Sequence, residues 1–201
     1  MASPAVPGLF FCFAAMVLLV FVRVSSPTWE SISFLDVTTG GHTIHFGVFG
    51  YTGSGRSVGY FFNPSVLGLP DTNFDNGVIH NLTFVLILHP IAAGLAAIAV
   101  LFGLCGAAYS RVGTIFMTIS ATLATLVTII AWVIDMVLWG IARDRIRSAG
   151  SSGDLPLDTT AQYGNANWLT LGALVALLLA FCAGALGVCG RYSRGHRGEK
   201  Y

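Results

Sequence analysis

Residues 78–106 read VIHNLTFVLILHPIAAGLAAIAVLFGLCG, with no Asp, Glu, Lys or Arg among them. A hydrocarbon core of about 30 Å is crossed by about 20 apolar residues in a helix. Hydrocarbon offers the backbone no outside hydrogen-bond partner, so such a run must be helical. Three other stretches pass the same test, at about 6–24, 112–141 and 168–188. Around them lie a first outer loop of about 25–77, a second of about 142–167 and a tail of 189–201. The expected fold is all-α and membrane-embedded: one domain, a four-transmembrane-helix bundle with a small β-hairpin or sheet in the first loop.

Composition points the same way. The chain is 55% hydrophobic and 9% charged, whereas soluble domains carry about 25% charged residues. A formal net charge of +1 supplies no basic face for nucleic acid. Read as a cleaved leader, the first segment would end at Val24 and Ser26, but no basic stretch precedes it and Pro27 would follow the cut. The span reading is preferred. Trp29, Trp139 and Trp168 fall at segment ends, where indole rings anchor at the membrane interface.

Four spans put both termini on one side. Arg111, Arg191, Arg194, Arg197 and Lys200 lie on that side, and Arg23, Arg56, Arg143, Arg145 and Arg147 on the other. The positive-inside rule is therefore tied. The tail is dense in positive charge, whereas the arginines of the second outer loop are interleaved with or followed by Asp144, Asp154 and Asp158. That contrast favours cytoplasmic termini. Cys12, Cys105, Cys182 and Cys189 lie within or beside spans, so neither outer loop holds a disulfide framework. Cys105 and Cys189 read first as packing residues and second as palmitoylation sites near the inner leaflet.

In the first loop, alternation over His42–Tyr51 puts Ile44, Phe46 and Val48 on one face, and Thr52–Gly55 reads as a turn into a returning strand over Ser57–Phe62. Gly50–Ser57 nearly fits a phosphate-binding loop with Arg56 in place of lysine, but no helix follows, so nucleotide binding is rejected. His42 and His45, with Asp36 nearby, lack further ligands; residues three apart on a strand face opposite ways, so they read as solvated side chains. The sequon at Asn81 sits at the mouth of a span and is expected to stay unmodified.

The spans also hold two ionisable groups. His89 precedes Pro90 in the second span, and Asp135 lies in the third. Both are roughly 10–15 Å deep along their helices. Such residues usually face a partner or a wet cavity. The first reading is a His89–Asp135 contact between helices that fixes packing, or a lone Asp135 near water; the second is a paired, pH-responsive latch.

Gly172, Ala176, Ala180 and Gly184 recur every four residues in the fourth span, as do Ala99, Gly103 and Ala107 in the second. This spacing lets helix backbones approach closely, within the bundle or between copies. No nucleophile with a base and orienting acid is recognisable, nor any metal cluster or cofactor motif, so the chain is read as non-enzymatic. Pro90 is a single expected kink without a counterpart, unlike the paired broken helices of transporters.

The chain resembles the fungal PalI family, grouped with Sur-seven-type eisosome proteins and more distantly claudin-like. The resemblance rests on Phe46-Gly-Val-Phe-Gly-Tyr51, on Leu86–Ala93 and on Ala131–Asp135 through Arg143–Ile146. It ends with Asn167–Leu171, opening the fourth helix. It implies a plasma-membrane protein with cytoplasmic termini and a strand-bearing first outer loop. Gly47, Phe49, Gly50, Tyr51, His89, Pro90, Asp135 and Trp168 become its structural or functional candidates. PalI-like proteins assist a seven-span receptor of the alkaline-pH response; Sur-seven-like ones organise membrane domains at the cell cortex. The implied partners are the bilayer and a membrane receptor or other membrane proteins, with a homo-oligomer as a further arrangement. A small channel or transporter subunit is the alternative of a different class. Thr52 stands where family members often carry a cysteine.

Overall fold

The computed structural model describes residues 6–60, 83–108, 111–151 and 159–195. Four long helices carry the apolar runs: α1 (Val6–Arg23), α2 (Leu88–Ala108), α3 (Arg111–Ser151) and α4 (Asn165–Gly195). All four are long and apolar enough to cross a membrane. They form a bundle in which α2 packs on α3, α1 on both α2 and α4, and α4 on α3.

The face each helix turns inward follows from the solvent. Lipid tails are as apolar as leucine, so burial does not drive helices together; close packing and polar contacts do. On α3 the buried positions include Ala121, Ala124, Thr128, Ala131, Asp135, Leu138 and Ala142, spaced by three and four. Ile115, Ile119, Leu126, Ile130, Val133 and Val137 are exposed on its other face. The hydroxyls of Thr118, Thr122, Thr125 and Thr128 each donate to the carbonyl four residues back, at 2.7–2.9 Å. Those polar groups are satisfied within their own helix. Of the small residues, Ala176, Ala180, Gly184, Ala99 and Gly103 turn inward, serving packing inside the bundle. The side chain of Ala107 lies outside the described residues.

Over one end of the bundle lies a three-stranded antiparallel sheet of order β2-β1-β3. Its strands are β1 (Leu35–Thr39), β2 (His42–Phe46) and β3 (Thr160–Tyr163). The pairing differs from the expected hairpin: β2 pairs with β1, with Val37 opposite Ile44, not with Ser57–Phe62. Residues 57–60 form no strand, and 61–62 lie outside the described residues. The β1–β2 turn is Gly40-Gly41, at φ 55° and 78°. A two-residue hairpin turn needs positive φ at both central positions to match strand twist, and glycine takes it without penalty. The third strand comes from the second outer loop, with Ala161 opposite Val37. Leu35, Val37, Ile44, Phe46 and Ala161 face down into the core; Asp36, Thr38, Thr43 and His45 alternate onto the outward face.

At 41 residues, α3 continues past Ile141 to Ser151 and spans roughly 60 Å, about twice a hydrocarbon core. Its last turns stand beside the sheet. There Arg143 Nε and Arg147 Nη2 donate to the Ala161 carbonyl at 3.4 and 3.5 Å, and Arg143 lies 4.9 Å over the Tyr163 ring. An open strand edge invites pairing with other chains; here two arginines occupy the free edge of β3.

Candidate functional site

The start of α2 builds the site. The chain is helical at 83–85, turns at Leu86 and Ile87, and re-enters helix at Leu88. Pro90 has no N–H to give the carbonyl four residues back, so the Leu86 oxygen is left open. His89 takes it twice, through its backbone N–H at 3.1 Å and its ring Nδ1 at 3.2 Å. A carbonyl only accepts, so Nδ1 carries the proton and Nε2 is the free nitrogen. Pro90, read from sequence as a kink, thus lies in the first turn of α2 and sets the tautomer of its neighbour.

Nε2 of His89 stands 3.0 Å from Oδ2 of Asp135 on α3, and the two side chains are 1% and 2% exposed. The approach is short but off the line of a hydrogen bond, so it acts more through charge than through direction. With Nδ1–H already committed, a favourable contact needs one proton between Nε2 and the carboxyl. The pair is then an imidazolium with a carboxylate, or a neutral imidazole with a carboxylic acid, and is neutral overall either way. Buried charges persist only when paired in this manner.

The sheet roofs the pair. Phe34 sets its ring edge-on to His89 at 5.3 Å and stacks on Trp139 at 5.8 Å, and Phe46 meets Trp139 at 6.2 Å. The backbone around Phe34 is tied to the helix entry: its carbonyl accepts from Asn167 Nδ2 at 2.8 Å and from Gly164 N at 2.9 Å, and Ala166 N donates to Ser33. Trp139 Nε1 and Asn167 Oδ1 are buried with no hydrogen-bond partner among the described residues. Trp139, expected as an interface anchor, is instead 1% exposed at the centre of this roof. It lies one turn from Asp135 on the inward face of α3, which the overlying sheet covers. Trp29 and Trp168, at 48% and 68% exposed, stand on the outside as anchors would.

Residues Gly47–Tyr51 form a second tight element, a loop clasping the end of α1. Gly47 N donates to Gly50 O at 2.8 Å, Val48 N to Ser25 Oγ at 3.1 Å, and Ser26 Oγ to His45 O at 2.9 Å. Phe49 and Tyr51 pack against the core below the sheet, and the Phe49 carbonyl accepts from Ser57 N. Tyr60 donates to the Gly47 carbonyl at 3.0 Å. Burial, with a smaller contribution from Tyr51, pushes its phenol well above the usual range, so it stays a neutral donor. Thr52 exchanges two bonds with His45, at 3.1 Å to its hydroxyl and 3.0 Å from its N–H, and so closes the loop without a covalent link.

A Cβ on Gly47 would overlap the backbone carbonyl of Ser26, which cannot rotate away. Gly47→Ala is expected to lower stability by about 3 kcal/mol. Gly94→Ala, at a site with open space around it, should change little. Thermal unfolding of the two purified variants in detergent checks the contrast.

Elsewhere, His45 bonds Asp36 at 2.7 Å on the sheet's outward face, and His42 stands exposed beside the hairpin turn. Among the described residues no three His, Cys, Asp or Glu side chains converge as metal ligands. Residues 50–57 run from a loop into more loop, without the helix a phosphate site requires. Asn81 lies outside the described residues; Thr83 of that sequon is buried and donates to the Tyr60 carbonyl at 3.1 Å. Sequence reasoning missed Phe34 and Asn167. Neither breaks a local pattern, and only the crossing of the sheet over the helix ends gives them their place.

The model of the SUR7/PalI family matches residues 4–182. No curated protein matches the chain.

Proposed function

The chain belongs to the SUR7/PalI family, and from that premise we propose that it assists ambient alkaline-pH signalling by stabilising or localising a seven-span receptor at the plasma membrane. In this reading it is a non-enzymatic multi-pass protein of a fungal cell, with both termini in the cytoplasm and the sheet outside. The family match, over 4–182, is the observation that carries it. The architecture suits a supporting role. The described interior between the helices is rich in alanine and holds buried threonines and an ionisable pair, while large apolar side chains cover the outside of all four helices. Such an exterior can lie against lipid or against the helices of another membrane protein.

The test is deletion of the gene in its native host, with growth, pathway-reporter output and receptor surface level measured at acidic and alkaline pH. Loss of alkaline growth together with receptor loss from the surface is the expected result. Normal pH signalling with altered membrane patches or wall sensitivity would instead assign the chain to cortical membrane organisation. Ion flux from the purified protein in liposomes would assign it to the channel class.

A further inference from the structure

We propose that His89 and Asp135 form a one-proton latch that holds the sheet down on the bundle and loosens as pH rises. The inference rests on geometry. Pro90 leaves the Leu86 carbonyl open, that carbonyl holds Nδ1–H, and Nε2 is thereby left 3.0 Å from Asp135 Oδ2. Closed, the pair must contain one proton. Without it, an imidazole lone pair faces a carboxylate in an apolar site, and the buried charge has no partner.

The latch is coupled to the sheet because its roof is part of the sheet assembly. Phe34 touches the imidazole and stacks on Trp139, and its backbone N–H donates to the Phe46 carbonyl of β2 at 2.7 Å. Phe34 covers the imidazole and is tied by its backbone to β2, so opening the pair on that side disturbs the sheet. Among the described residues, those shown to meet the imidazole besides Asp135 do not titrate: Leu86, whose carbonyl holds Nδ1–H, and Phe34 above it; Trp139, one turn along α3 from Asp135, does not titrate either. Tyr60, in the same core, is held neutral by burial. Among the described residues the other histidine–carboxylate pair, Asp36 with His45, is on the opposite face of the sheet.

The sign follows from proton counting. In water, free imidazole holds its second proton only below about pH 6.5, and a free carboxylate holds its own only below about pH 4. Above the higher value a hydrated, open pair has therefore released the proton that the closed form keeps. Between those two values the open and closed forms hold the same number of protons, and closure is independent of pH. Above the higher one, each pH unit shifts the equilibrium about tenfold toward the open form, as release of one proton requires.

Hydrogen–deuterium exchange of the Leu35–Thr39 amides tests this on the full chain in lipid nanodiscs, corrected for intrinsic exchange. Wild-type protection should fall about tenfold per pH unit over part of the range between about pH 6.5 and 9. Asp135→Asn supplies an amide N–H that can donate to Nε2 without a titrating proton. The double change His89→Gln with Asp135→Asn likewise leaves a polar pair with no titrating group. Either variant should stay protected with a flat profile, and one folded variant suffices. Asp36→Asn should keep the wild-type slope. A flat wild-type profile, or an unchanged slope in a folded Asp135→Asn protein or a folded double variant, overturns the latch. The latch goes beyond the receptor-supporting role and is read without a receptor, so its failure would leave the deletion result standing, and the reverse.

Discussion

Trp139→Ala should lower the stability of the purified protein by about 3–5 kcal/mol. The indole is buried, stacked on Phe34 at 5.8 Å and within 6.2 Å of Phe46. Removing it opens a void between the helix bundle and the sheet that no neighbour is free to fill, because Phe34 is held at its backbone by Asn167 and Gly164. Trp139→Phe should recover about half of the loss, since it restores ring contact and removes the unpartnered Nε1–H. Denaturant unfolding in mixed micelles measures both. Near-wild-type stability of Trp139→Ala would mean that the sheet is not seated on this residue.

Asp135→Ala should cost a similar amount, about 3–5 kcal/mol, because it leaves His89 buried with one ring nitrogen unpartnered. The informative measurement is the double variant. Removing both ionic partners removes the uncompensated group, so His89→Leu with Asp135→Leu should be more stable than Asp135→Ala alone. A double variant as damaged as the sum of its single changes would show that the two residues act independently. Asp135→Asn belongs to a separate class, since it keeps a polar contact while removing the proton.

Much of this arrangement is legible along the chain because it depends on local rules. Runs such as Val78–Gly106 lack charge for longer than a bilayer is thick, and that alone requires helix. His89 and Asp135 stand out as ionisable groups in apolar helices, where cost restricts them to facing one another or water. Pro90 was visible too, but its consequence was not: the freed carbonyl lies at Leu86, and its use by the histidine ring depends on a rotamer. In the loop, two glycine turns competed. Thr52–Gly55 drew the hairpin reading, while Gly40-Gly41, the better two-residue turn, joins the strands that pair.

What the sequence determined by itself was the solvent of each segment, the helical state of the spans and the two residues that could not be left alone in hydrocarbon. These follow from composition and from the backbone's need for hydrogen bonds, which act on every run regardless of its neighbours. Tertiary structure decided the rest. It brought Thr160–Tyr163 beside Leu35–Thr39, over a hundred residues away in sequence, turned Trp139 from an interface anchor into a buried support, and placed Phe34 over the imidazole. Those outcomes depend on how four helix ends converge, and a four-residue strand such as β3 has too little pattern of its own to announce its partner.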